Sequence, residues 1–240
     1  MPVCFVVGAG VVGLSIARNL SRHMEVIVLE ARNRIGTQTS SRNSEVIHSG
    51  IYYRPGSMKA KLCASGADKL YKYIAQRNIE YRNCGKLIVA TSASDCKKLQ
   101  VLSEIGNKNG VSNLTLLTKS DVKSLEPEIE CISALRVSST GIINSHELML
   151  ALQADAERNG AVTVYNCNVY GARSSSEVSS RGKHKIELQT SQGNFSADFV
   201  VNCAGHGAPY LAARIIHHPI SRVPQPYFSK GSYFKLAGIK

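Results

Sequence analysis

The sequence predicts an α/β chain: a parallel sheet domain with a smaller domain, built on a mixed or antiparallel sheet, inserted into it. Three observations lead there. Residues 2–30, PVCFVVGAGVVGLSIARNLSRHMEVIVLE, read as strand, glycine turn, helix and strand. Residues 197–205, ADFVVNCAG, bring a second apolar strand that ends in a small-residue turn, far downstream of the first. Between the two lie short strands such as GKLIVATS and ALRVSS, interleaved with helices of clear apolar spacing.

The composition fits a globular protein. A chain of 240 residues with 43% apolar content is one large domain or two small ones, with enough apolar side chains for a proper core. The formal charge of +12 comes from Lys and Arg scattered along the chain, with no run of five or six. Such charge favours anionic small molecules, acidic partners or an anionic membrane surface as readily as nucleic acid. No basic and aromatic module of nucleic-acid recognition accompanies it, so no nucleic-acid partner is expected. The 7 cysteines are odd in number, widely spaced and without a C-x-x-C pair, which argues for a reducing compartment and against a disulfide framework or a metal site. The N-x-S/T triplets at Asn19, Asn113 and Asn194 are read as chance, Asn19 falling inside a predicted helix. No apolar run approaches the length of a membrane span, which leaves peripheral membrane association as the membrane contact open to the chain. With the first strand starting at residue 3, the expectation is a cytoplasmic protein or a chain lacking its presequence.

The first element is Val3 to Val7, a continuous apolar run suited to a strand buried on both faces. Gly8, Gly10 and Gly13 then form G-x-G-x-x-G. The first glycine makes a tight turn, the second lets the backbone approach a diphosphate, and the third lets helix meet strand. A helix running from Val11 to Arg22 would present the amides of Val11 and Val12 and the positive end of its dipole to phosphate. EVIVLE is the next strand, and its final Glu30, 22 residues after Gly8, is placed to accept hydrogen bonds from an adenosine ribose. Ala31 and Arg32 follow it along the same cofactor edge. The alternative is that the glycines serve only a tight turn. This much does not distinguish FAD from NAD.

The second strand-and-turn element, ending at Cys203, Ala204 and Gly205, makes that distinction if it lies beside the first strand, because FAD enzymes split their cofactor domain in this way. On its own it is also readable as an ordinary turn with Gly205 as the bend. The segments VVGAGVVGLSIARNL, TSSRNSEVIHSGIYYRPGSMKAKLC, CGKLIVAT, STGIINSHELMLAL, VVNCAG and KGSYFKLAG together resemble the L-2-hydroxyglutarate dehydrogenases, FAD-dependent members of the D-amino-acid-oxidase superfamily. The resemblance runs from residue 3 to the last residue. Many members carry glycine where Glu45 stands here, and others carry glutamate.

The resemblance implies an FAD-binding Rossmann-like parallel sheet domain with an inserted mixed or antiparallel-sheet substrate domain. It implies oxidation of L-2-hydroxyglutarate to 2-oxoglutarate, with hydride passing from the substrate Cα to flavin N5. The electrons then leave for an acceptor other than dioxygen, a quinone or an electron-transfer protein, and the setting is mitochondrial. It also implies a chain near twice the usual domain size, whose C-terminal portion carries further substrate-domain strands and a glycine-rich segment that touches the flavin. The partition expected here is residues 1–83 and 144–216 for FAD, and 84–143 and 217–240 for substrate.

With a flavin placed by the glycine turn, the polar stretch after Glu30 gains a role. Thr39, Ser40, Ser41, Arg42, Asn43 and Ser44 offer donors along the cofactor, with Arg42 the candidate for charge pairing with the diphosphate. His48 has three readings: a base or orienting group for the substrate hydroxyl, a contact to the flavin (covalent in some relatives), or a satisfied core histidine. Tyr52 and Tyr53 alternate on an expected strand, so that one faces the pocket; Tyr53 joins His48 as a catalytic candidate.

Downstream, GSMKAKLCASGADKLYKYIAQRN, SDCKKLQVLSEIGNKNG and TKSDVKSLEPEI read as helices, the last stopped by Pro127. Ser145 is expected to cap the next helix, which ends at Gly160, and Asn144 and Ser145 to lie near the flavin. VTVYNCNVYGAR is a strand pair in which Val164 or Val169 brings backbone to the adenine. KIELQTSQGNFSADFVV folds back at Gln192-Gly193 as a hairpin feeding the second cofactor strand, and SSSEVSSRGKHK is a surface loop. The substrate sheet is expected from GKLIVAT, ISALRVS and GSYFKLA. A dicarboxylate substrate asks for cations or strong donors, for which Arg54, Lys59, Lys86, Lys230 and Tyr233 are available. The competing readings are an FAD oxidoreductase for another small anion, glycerol 3-phosphate or an amino acid, and a truncated, catalytically silent nucleotide-binding protein.

Overall fold

The computed structural model describes residues 1–178, 184–216 and 218–232. In chain order, β1 (Val3–Val7), α1 (Val11–Leu20) and β2 (Glu25–Leu29) come first. They are followed by β3 (Val46–Ile47), α2 (Met58–Gln76), β4 (Tyr81–Arg82), β5 (Lys86–Ala90) and α3 (Ala93–Lys108). Next are β6 (Leu114–Thr118), α4 (Lys119–Leu125), β7 (Ser133–Val137), β8 (Gly141–Ile143) and α5 (Ser145–Arg158). The last stretch holds β9 (Val162–Val164), β10 (Val169–Val178), β11 (His184–Thr190), β12 (Gly193–Ala197), β13 (Phe199–Asn202) and α6 (Ala208–Ala212). The chain packs as two compact units, Met1–Thr37 with Leu152–Lys240, and Gln38–Ala151.

The first unit is built on a parallel sheet in the order β13-β1-β2-β9. The late strand lies directly beside the first, with Cys4 opposite Phe199 and Val7 opposite Asn202, as expected of the split cofactor motif. Apolar side chains on both faces account for this burial: Val6 and Val28 are sealed, and α1 covers the sheet through Leu14 and Ala17, both without exposure. On the other side, Phe5 and Leu29 join Cys167, Ala172, Leu188 and Ala197 in one core cluster. Phe5 stacks on Phe195, ring centroids 5.7 Å apart. Ala172, Leu188, Phe195 and Ala197 belong to an antiparallel meander, β10-β11-β12, whose second turn falls at the expected position before Gly193. The tip of the first turn, with part of the expected surface loop, lies outside the described residues.

The second unit carries two small antiparallel sheets, β5-β7-β6 and β3-β8-β4. Helix α3 closes the first of them through Leu99, which packs with Ile51, Ala90, Val111, Leu135 and Val137. Ser92 caps this helix, its hydroxyl accepting from the Asp95 amide. A Thr118/Asp121 capping box starts α4. Two of the three strands expected for the substrate sheet are paired here as β5 and β7. The third, GSYFKLA, lies outside the described residues from Tyr233 onward, and the described strand on the other side of β7 is β6, which sequence reading passed over.

Two local expectations are corrected. The stretch VIHSGIYY is a strand only at Val46–Ile47. Gly50 takes φ 90, and the Tyr53 amide donates to its carbonyl, so both tyrosines sit on a turn, where strand alternation does not apply. Asn144, rather than Ser145, caps α5, its Oδ1 accepting from the Glu147 amide at 3.1 Å. The compact units also divide the chain elsewhere than the functional partition. Residues 38–83 pack with the second unit, since β3 and β4 both hydrogen-bond to β8 and Ile51 enters the α3 core. Packing and cofactor contact are different criteria, and the partition by cofactor remains an expectation. No helix among the described residues is long and apolar enough to cross a membrane.

Candidate functional site

In the first unit the turn after β1 is held backbone to backbone. Gly8 has φ 104, a region that side-chain-bearing residues avoid, and its amide donates to the Leu29 carbonyl at 2.8 Å. A Cβ on Gly8 would stand 2.5 Å from the Cys203 carbonyl oxygen, and one on Gly13 would overlap the Gly8 carbonyl oxygen. The Cys203 amide donates in turn to Val7 at 2.9 Å. The two glycine motifs therefore form one packed corner at the ends of β1 and β13.

Gly10 is the N-cap of α1; no side chain caps the helix and no acidic residue occupies its first turn. Val12 beside it is 60% exposed, an apolar side chain left open where helix dipole and amides point outward. Glu30 is buried at the end of β2. Its carboxylate accepts from the Ala9 amide at 2.8 Å and, through the other oxygen, from the Arg32 amide at 2.9 Å. Sequence reading assigned Glu30 to a ribose; here it also ties the glycine turn to the strand end. A carboxylate has about four lone-pair sites, so each oxygen keeps one for a hydroxyl donor. An uncapped helix start beside a buried carboxylate fits the diphosphate and ribose of a dinucleotide.

Residues 30–32 are pinned from the other side, the Glu30 and Arg32 carbonyls accepting from the amides of Cys167 and Asn166. The Val164 carbonyl is engaged by the Glu30 amide, and Val169 opens β10 opposite Thr190. Asn202 was missed by sequence reading. Its side chain accepts from the Ala204 amide and donates to the Ala208 carbonyl at 2.8 Å, fixing the turn that carries Ala204 and Gly205. The signal was present: an Asn at a strand end before a small-residue turn is a standard Asx arrangement.

In the second unit, Thr39–Ser41 make a single 3-10 turn. Asn43 closes it, its side-chain amide donating to the carbonyls of Thr39 and Ser40 while its oxygen accepts from the Glu45 amide. The Asn43 side chain thus holds the loop in shape. Arg42 and Ser44 are exposed, and the Ser41 hydroxyl donates to the Gln38 carbonyl.

Glu45 has φ 56, the left-handed region that glycine adopts without strain and side-chain-bearing residues rarely do. The glutamate is held instead by Ser145, whose amide and hydroxyl both donate to one carboxylate oxygen, at 3.0 and 2.6 Å. Glu45→Gly removes these bonds together with the strain, whereas Glu45→Ala removes the bonds and keeps the strain. The alanine variant is expected to lose about 1 to 2 kcal/mol and the glycine variant less than half of that, measured by denaturant unfolding. Equal losses would contradict the compensation.

His48 follows β3 with one face open to solvent. Partial burial, and secondarily the positive charge of Lys86, lower its pKa below the usual 6.5. The Cys63 thiol donates to the His48 carbonyl at 3.2 Å, and burial raises the pKa of that thiol against the pull of Lys86. Lys86 stands 4.2 Å from the Tyr52 ring centroid. Burial lowers the Lys86 pKa, and Cys63 opposes that shift. Tyr53 is on the same turn, with the Lys59 ammonium 5.4 Å from its ring centroid, and its carbonyl accepts from Asn109 at 2.7 Å. The structure thus gathers His48, Tyr52, Cys63 and Lys86 in one cluster. Arg54 and Lys230 are exposed, and Tyr233 lies outside the described residues. Cys63 and Asn109 carried no sequence signal, being one thiol in a helix and one amide near a helix end.

The family described as DAO, FAD dependent oxidoreductase, matches residues 4–240. The mitochondrial L-2-hydroxyglutarate dehydrogenase of Arabidopsis thaliana is 39% identical over 264 residues, which cover 98% of this chain and 54% of that protein. The human protein of the same name is 38% identical over 208 residues, 83% of this chain and 45% of the relative. An Escherichia coli L-2-hydroxyglutarate dehydrogenase is 30% identical over 236 residues, 97% and 53%. The chain thus spans about half the length of the curated relatives it matches. Among solved structures, the L-alpha-glycerophosphate oxidase of Mycoplasma pneumoniae with FAD bound superposes with a TM-score of 0.81 at 25% identity, over 90% of this chain and 57% of that one. The L-proline dehydrogenase of P. horikoshii, at 23% identity and a TM-score of 0.76 over 89% and 55%, shares the fold.

Proposed function

The chain belongs to the DAO family of FAD dependent oxidoreductases, and on that premise we propose that it serves the oxidation of L-2-hydroxyglutarate to 2-oxoglutarate. The observation that carries the substrate is that plant, human and bacterial relatives at 30 to 39% identity bear that activity in their names. FAD is the cofactor of the family. Gly8, Gly10, Val11, Val12 and Gly13 would hold its diphosphate, Glu30 its ribose, and Cys203, Ala204 and Gly205 the second edge. When bound, FAD supplies the two-electron acceptor for the Cα–H bond that breaks.

His48 has the chemistry of the base. The substrate hydroxyl must lose its proton as the carbonyl forms, and an imidazole held neutral by partial burial and by Lys86 is ready to accept it. Because the base form is the active one and its pKa lies below 6.5, kcat/KM should rise with pH only on the acid side and be level above neutrality. A pH-rate profile with its break above pH 7 would assign the proton to another group.

The electrons are proposed to leave for a quinone or an electron-transfer protein, in the mitochondrial setting that the eukaryotic relatives' names carry. The likeness to a glycerophosphate oxidase makes glycerol 3-phosphate the second reading. Steady-state turnover of the FAD-loaded full-length protein with an artificial electron acceptor, across L-2-hydroxyglutarate, glycerol 3-phosphate and amino acids, separates the two. L-2-hydroxyglutarate should give the highest kcat/KM. Preference for the phosphate ester would replace the proposal.

A further inference from the structure

We propose that Lys86 is the anion-recognition residue of this site: its ammonium, grouped with His48, Cys63 and the Tyr52 ring, seats the substrate carboxylate next to the hydroxyl whose proton His48 takes. The assignment rests on the function proposed above and names the residue that reads the substrate's charge.

Three segments converge to place the lysine. Lys86 opens β5 directly after Gly85, whose amide donates to the Thr140 carbonyl at 2.8 Å. Strands β3 and β8 pair Ile47 with Gly141, and the residues that continue from that pair are His48 on one strand and Thr140 on the other. Backbone bonds therefore bring the base and the lysine to the two sides of Thr140.

Lys86 is half-buried, and among the described residues no carboxylate pairs with it. Its ammonium lies 4.2 Å from the Tyr52 ring centroid, and its charge is felt by the Cys63 thiol and the His48 imidazole. Removing an ammonium from water without an anion is unfavourable, and a π face offsets only part of that. A carboxylate arriving beside Lys86 supplies the missing charge. Ser49 follows His48 in the chain and Thr140 continues the facing strand from Gly141; the hydroxyls of both are buried without a hydrogen-bond partner. A surface lysine with its head in water shows none of these features.

The test is an NMR titration of the His48 imidazole in the FAD-loaded protein at constant ionic strength, with His48→Gln identifying the resonance. Acetate, a bare carboxylate, and 2-oxoglutarate are added separately to the parent, Lys86→Met and Lys86→Arg. In the parent both anions should shift the resonance saturably and raise its titration midpoint. In Lys86→Met the same shift should require at least tenfold more of either anion, and Lys86→Arg should recover most of the parent response. A methionine variant that responds like the parent, or a parent that ignores acetate, overturns the assignment. If acetate saturates the parent and fails on Lys86→Met while 2-oxoglutarate shifts neither, Lys86 stands as an anion site and the dicarboxylate function falls.

Discussion

Gly10→Val should yield a folded protein that retains less than a tenth of the parent's FAD. Gly10 sits at φ −80 and ψ 176, a conformation open to valine, so the substitution introduces no backbone strain. Loss of the preferred cap costs about 1 kcal/mol or less. The added isopropyl group instead occupies the mouth of α1, where no side chain now caps the helix and the diphosphate is proposed to approach. Gly8→Val is the contrasting variant. Its backbone lies at φ 104 and its Cβ would press on the Cys203 carbonyl, so it should lose stability as well as cofactor. Flavin content of the purified proteins and their thermal midpoints separate the two outcomes. Gly10→Val with undiminished flavin would contradict the cradle.

His48→Ala should keep FAD, bound noncovalently, and slow its reduction by substrate about a hundredfold or more, the usual effect of removing a general base. The side chain is open to solvent on one face, so truncation should change stability little. The three readings of this residue predict different outcomes. Loss of covalently retained flavin in the variant points to a flavin contact. Reduction at the parent rate with lowered stability points to a structural histidine. A slowed rate with flavin content and stability preserved supports the base.

The cofactor half of the fold was legible because its elements are dictated locally. An all-apolar Val3 to Val7, three glycines at fixed spacing and an acid at the end of β2 admit few arrangements, and the pairing of β13 with β1 followed from a second run of the same kind. Helices α2 and α3 were legible from periodicity, and α4 from its capping signal and the stop at Pro127. What escaped was decided by tertiary context. LTLLT is too short to distinguish from loop without its partner β7. The tyrosine pair looked like a strand because alternation outweighed a single Gly50, whose positive φ in fact breaks it. Asn144 and Ser145 are both good caps; the choice turned on Glu45, a hundred residues away, which binds Ser145 and leaves the cap to Asn144. Lys86 was one of several surface-like cations until folding placed it against Tyr52 and, through Thr140, near His48.

The most direct test is to mix FAD-loaded full-length protein anaerobically with L-2-hydroxyglutarate and follow the flavin absorbance band. The band should bleach in a single turnover, with one 2-oxoglutarate formed per flavin, and the D enantiomer should leave it unchanged. A flavin that stays oxidised in the presence of L-2-hydroxyglutarate, while another small anion bleaches it, would contradict the account.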